Sequence, residues 1–169
     1  MQIQLTRLLF VSSLGLAACS DEALSNLEGL PDLNSSSQIQ AWLKSNGYKD
    51  WTCEAMPTAK TGGTPGIHVH GSNRVCVNSL LKQSVSGPLP RGAAAVKEIH
   101  SGGGITKYYL EVKIADDSAG GDGWFWYNGI ASASAGSGER GDASCTGCHA
   151  GAASDADHPG RGDYVYFVP

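Results

Sequence analysis

Apolar residues recur along this chain with two different periods. Ile39, Trp42 and Leu43 fall at i, i+3 and i+4, the spacing that lines one face of a helix. A serine precedes them as N-cap and Asn46-Gly47 follows as a stop, so a short helix is predicted there. From Gly66 onward the period becomes two. Tyr108, Leu110, Val112 and Ile114 lie on one face while Lys107, Glu111 and Lys113 fall mostly on the other, which predicts a half-buried strand from Ile105 to Ile114. Arg74 to Val77, Ala94 to His100, Trp124 to Tyr127 and Tyr164 to Val168 read as further strands between Gly-rich or Pro-containing turns. Gly102-Gly103-Gly104 reads as a hairpin turn. No repeat of fixed period appears, so a solenoid or propeller is not supported. The fold class expected is α+β, mainly antiparallel sheet with a few short helices.

The N-terminus follows neither period. A single positive charge in residues 1–7, an apolar run from Leu8 to Leu16 and small residues before Cys19 make a secretory signal, too short for a membrane span of about 20 apolar residues. Leu16-Ala17-Ala18-Cys19 resembles the bacterial lipobox, whose cysteine becomes the lipid-bearing first residue of the mature chain. Ser20, rather than Asp, resembles lipoproteins sent to the outer membrane. The expected organisation is a signal peptide over 1–18, a polar flexible tether over 19–37 and a single domain over 38–169. That domain stands in water and is held to the membrane only by acyl chains.

At 169 residues, 41% hydrophobic and 17% charged, the chain is in the range of one globular domain. Its net charge of −4 argues against nucleic acid as a partner. Five cysteines divide by position: Cys19 goes to lipid and Cys145 with Cys148 to the motif below. Cys53 and Cys76 remain, and in an oxidising compartment they are most simply a disulfide.

The chemistry lies at Cys145-Thr146-Gly147-Cys148-His149. C-x-x-C-H is the attachment signature of c-type haem: two thiols add across the two vinyl groups and the next side chain, His149, ligates iron. The expected cofactor is thus one covalent haem c. A zinc site from Cys145, Cys148, His149 and His158 competes, but adjacent Cys-His ligands to one zinc are awkward. A redox dithiol competes as well, but it calls for a βαβ context that this pattern lacks. Arg140-Gly141-Asp142 and Arg161-Gly162-Asp163 read as ordinary turns.

Several shorter pieces stand in a telling order: Arg74-Val75-Cys76-Val77-Asn78, Leu80 to Lys82, Pro90-Arg91-Gly92, Ala95-Val96-Lys97-Glu98-Ile99 and Gly123-Trp124-Phe125-Trp126-Tyr127. The haem motif and Asp163-Tyr164-Val165-Tyr166 follow them. Over about residues 40–169 this order resembles the cytochrome P-460 family, which includes the cytochromes c′-β. The resemblance implies a sheet-rich domain, a homodimer, and a five-coordinate iron in an apolar, aromatic-lined pocket. Such an iron binds or oxidises small nitrogen species such as hydroxylamine and nitric oxide. Hydroxylamine-oxidising members bond a lysine to the haem edge on a V-K-E strand, and Lys97 stands at that position. They also carry a distal carboxylate, for which the insertion from Ala150 to Gly162 offers Asp155 and Asp157. If a side chain fills the sixth iron position instead, an electron-transfer cytochrome with a redox partner protein is implied. Met56, His68, His70, His100 and His158 are the residues of suitable type.

Overall fold

The computed structural model describes residues 27–55, 57–59, 70–84, 88–152 and 162–166. Cys19 and the signal, Met56, His68, Asp155, Asp157 and His158 lie outside the described residues.

Helix α1, Ser36–Lys44, forms where the i, i+3, i+4 pattern predicts it. The Ser35 hydroxyl accepts from the Gln38 N–H at the N-terminus, and Ile39 and Leu43 are completely buried, each contributing about 1.5–3 kcal/mol of transfer free energy. The helix ends at Lys44. Asn46 then takes a left-handed φ of 55°, and the Gly47 N–H bonds the Trp42 carbonyl at 2.9 Å. Gly47 serves by its small size, because a Cβ there would lie 2.1 Å from the Trp42 indole nitrogen. Gln40 pins α1 to the sheet by accepting from the Tyr127 hydroxyl at 2.7 Å and donating to the Ile130 carbonyl at 3.0 Å.

Among the described residues the strands form one antiparallel sheet: β1 (Thr52–Cys53), β2 (Thr58–Ala59), β3 (Ser72–Val77), β4 (Ala94–Ser101), β5 (Gly104–Lys113), β6 (Trp124–Ile130) and β7 (Ser137–Arg140). The order is β1-β3-β4-β5-β6-β7, with β2 pairing the same edge of β3 as β1. The sheet is thus a meander from β3 to β7, consistent with the α+β, mainly antiparallel class. The β4–β5 turn places Gly102 at φ 61° and Gly103 at φ 85°, both left-handed, as a two-residue type I′ hairpin requires. Cys53 and Cys76 face each other across β1 and β3 and are disulfide-bonded.

Alternation sorts the side chains onto two faces. Cys76, Ala94, Val96, Tyr108, Leu110, Val112, Phe125 and Tyr127 pack under α1. On the opposite face Val77, Ala95, Trp124 and Trp126 meet Leu81 of α2 (Ser79–Gln83), Leu89 and Val165. Three expectations change here. The strand at Ile105–Ile114 alternates buried and half-buried positions as expected from Tyr108 to Val112, and departs at Lys113, which is completely buried. The stretch read as a tether over 19–37 is packed in its second part, where Leu27 and Leu33 join the core beneath α1. The strand expected at Tyr164–Val168 is, within the described residues, a turn with one isolated bridge between Gly162 and Val165. Gly162, Asp163 and Tyr164 have φ of 85°, 49° and 68° there, a conformation that no extended ladder can accommodate.

Candidate functional site

The pentapeptide lies on a short helix, α3 (Ala143–His149). Asp142 caps it, accepting from the Ser144 N–H at 2.8 Å, and Gly141 turns the chain in from β7 at φ 63°. The helix is seated by its buried Thr146 against Gly121, in the 3-10 turn Ala119–Gly121. A Cβ on Gly121 would approach Thr146 Cγ2 to 2.4 Å, so only glycine admits this contact. Cys145 and Cys148 are one turn apart, hence on one face, and both are free thiols. Cys145 packs against the Trp124–Trp126 core cluster, and burial raises its thiol pKa.

His149 closes α3 and leans onto the sheet. Its ring stands edge-on to Trp126, centroids 4.6 Å apart, and to Tyr166 at 5.3 Å. The Tyr166 hydroxyl in turn donates to the Cys148 carbonyl at 2.9 Å. His149 Nδ1 lies 2.8 Å from the Tyr164 carbonyl oxygen. A carbonyl only accepts, so Nδ1 carries the proton and Nε2 keeps its lone pair. Burial, opposed by this hydrogen bond and assisted by the Lys97 charge, pushes the imidazole pKa down to about 4, so the ring is neutral near pH 7. A second oxygen, Glu111 Oε2, lies 3.5 Å from the same Nδ1. Burial pushes the Glu111 carboxyl up to about 7 against the lowering influence of Lys97.

The sheet face beside His149 collects the other chemistry. Register places Lys97 opposite Tyr109, and Glu111 between Ala95 and Trp126. Lys97 is half-buried, on the same face as Glu111. His70 stacks edge-on against Tyr109 at 4.7 Å. Its pKa is brought down to about 4 by burial first and then by the nearby charge of Lys97, with smaller contributions from His149, once protonated, and from Lys107. His100 belongs to the other face, 2.9 Å from the Glu98 carboxylate.

Of the expected site residues, then, Cys145, Cys148 and His149 share one helix, and Lys97 stands on the strand face that His149 touches. The sequence pattern marks Glu111 only as the polar side of a half-buried strand. The signal that could have found it was its place two residues from Tyr109 on a strand facing Trp126. Tyr164 contributes through its carbonyl, which no side-chain pattern reports.

Among the described residues no three His, Cys, Asp or Glu side chains converge as a metal shell, and no helix is long and apolar enough to cross a membrane. The donor set fits haem c better than a protein-only metal cage. It offers two unpaired thiols on one face and one neutral imidazole whose outer nitrogen is already bonded to a carbonyl, the usual outer-shell support of an iron-ligating histidine. The buried indole N–H groups of Trp124 and Trp126, beside the ring of His149 in the case of Trp126, have no hydrogen-bond partner among the described residues. Comparison of the chain with protein-family models, curated proteins and solved structures finds no match.

Proposed function

We propose that this chain is an exported, lipid-anchored c-type cytochrome with a single haem, resembling the cytochrome P-460 family. In this reading Cys145 and Cys148 carry the thioether bonds and His149 is the proximal ligand. The observation that carries it is the commitment of His149 Nδ1 to the Tyr164 carbonyl at 2.8 Å, which leaves Nε2 as the free donor one residue from Cys148. When bound, the haem supplies an iron that binds and exchanges electrons with small nitrogen species such as hydroxylamine or nitric oxide. The chain's own part is to hold His149 neutral and oriented, and to keep water away with Trp126 and Tyr166. Lys97 provides a positive charge on the same sheet face. Glu111 approaches Nδ1, the nitrogen that would not ligate the iron, so it would support His149 rather than supply the distal carboxylate. Cys19 provides the lipid anchor, and a redox partner protein and a second copy of the chain are the macromolecular partners proposed.

One observation favours a second reading, electron transfer with a six-coordinate iron. His70, neutral and half-buried, stands on the same face as Lys97. Optical spectra of protein matured in a host competent for cytochrome c assembly test both. A Soret band with high-spin ferric features that shifts on adding nitric oxide supports the first reading. A low-spin ferric spectrum unmoved by nitric oxide, and turned high-spin by His70→Ala, supports the second. Colourless protein weighing only its polypeptide and acyl chains refutes both.

A further inference from the structure

Behind the imidazole lies a buried ion pair that the haem motif does not explain. Lys113, on β5, is completely buried. Its Nζ is 3.2 Å from both carboxylate oxygens of Asp163 and 5.3 Å from the Trp124 ring centroid. Asp163 Oδ2 also accepts the Leu89 N–H at 2.9 Å. A buried lysine in a sheet needs such a partner, because an uncompensated charge there is strongly destabilising.

The chain at this carboxylate is contorted. Asp163 and Tyr164 are successive non-glycine residues at φ 49° and 68°, a region that such residues occupy only when their surroundings over-determine them. Three contacts do so: the Lys113 ion pair, the Leu89 hydrogen bond, and Val165, whose N–H bonds the Gly162 carbonyl at 3.0 Å while its side chain is fully buried. The product of the contortion is the direction of one atom, the Tyr164 carbonyl oxygen, which meets His149 Nδ1.

The geometry points to Lys113 and Asp163 as positioning residues for the iron ligand: their ion pair holds the 162–165 turn so that the Tyr164 carbonyl fixes the tautomer and ring orientation of His149. This rests on the haem reading above. Hydrogen bonding from Nδ1–H raises the donor strength of a ligating imidazole and so favours the ferric state. Releasing the turn weakens that bond and raises the reduction potential.

The test compares wild type, Asp163→Asn, Lys113→Met and Lys113→Arg holoprotein by redox titration, and by NMR exchange of the His149 Nδ1 proton. Asp163→Asn keeps one acceptor oxygen, removes the charge and replaces the second oxygen, which Lys113 also contacts, with an amide donor. The expected result is an upward shift in midpoint potential and at least tenfold faster Nδ1–H exchange in Asp163→Asn and Lys113→Met, with both restored toward wild type by Lys113→Arg. Unchanged potential and exchange in the two charge-removing variants, with the fold intact by circular dichroism, would overturn the proposal. So would retained protection through transfer of the hydrogen bond to Glu111. If a charge-removing variant does not fold, Tyr164→Pro, whose ring forbids φ near 68°, takes its place with the same expected shifts, and unchanged potential and exchange in it would overturn the proposal. Wild-type protein without haem would defeat the cytochrome reading alone, because Nδ1–H exchange is measurable on the colourless chain and still decides the role of the ion pair.

Discussion

Glu98→Gln is the substitution whose cost the structure defines best. The Glu98 carboxylate is completely buried and is met from every side by donors. Tyr48 Oη lies at 2.8 Å, Arg74 Nε at 2.8 Å and Arg74 Nη2 at 2.7 Å, with His100 Nε2 at 2.9 Å. Glutamine preserves the volume but replaces one acceptor oxygen by an amide that must confront these donors. Removing one partner of a buried pair costs about 3–5 kcal/mol. Because the Arg74 side chain is 32% exposed, water compensates part of its loss, so about 3 kcal/mol is expected, the low end of that range. With a urea slope of about 1–3 kcal/mol per molar, the unfolding midpoint should drop by about 1–3 M. The pH dependence has a definite sign. Burial alone would raise the Glu98 pKa, but hydrogen bonds from Arg74, Tyr48 and His100 outweigh it and hold the carboxyl below its ordinary value. Its stabilisation is therefore fully present above the unfolded glutamate pKa of about 4.3 and is lost as pH falls through the lower folded value. Wild type and variant should differ fully at pH 7 and converge in strong acid. A difference under about 1 kcal/mol at pH 7, or a gap that persists undiminished in acid, would refute this account.

Three further outcomes are expected. Replacing Cys53 and Cys76 by alanine opens a loop with a sequence separation of 23 and should cost about 3 kcal/mol on the loop-closure account, read as a lower urea midpoint that added reductant does not lower further. Gly121→Ala places a methyl 2.4 Å from Thr146 Cγ2 at a φ of 87°. It should cost about 1–3 kcal/mol and, on the haem reading proposed, lower the Soret-to-protein absorbance ratio by displacing α3; an unchanged melting temperature would count against the docking described. If Lys97 is bonded to the haem edge, intact mass should fall two hydrogens short of polypeptide, lipid and thioether-linked haem, and Lys97→Arg should restore them; equal shortfall in both proteins would exclude the bond.

How far the sequence reveals this molecule depends on where each stabilising partner sits. Helix α1 and strands β3 to β6 were legible because their partners are internal to the pattern: period 3.6 or period two sorts their own side chains. Strand β7 was not. All four of its residues, Ser137–Arg140, are exposed, and only backbone pairing to β6 defines it. Lys113 reads as a solvent-facing residue because its neutralising partner, Asp163, is 50 residues away. The aromatic alternation at Tyr164 to Val168 suggests a strand, but the ion pair and the buried Val165 impose a turn. At the candidate site the side chains Cys145, Cys148 and His149 were legible from spacing. Their supports, a carbonyl at Tyr164 and a carboxylate at Glu111, arrive through tertiary register.

From β3 to β7 every strand lies beside its predecessor, so the closing distances along the chain are short and the sheet can assemble hairpin by hairpin with little loop-closure entropy at each step. The helix bearing the thiols comes after the last of these hairpins. A scaffold built in that order can be largely complete while its reactive segment is still undocked, leaving both sulfurs within reach of whatever chemistry is to be joined to them.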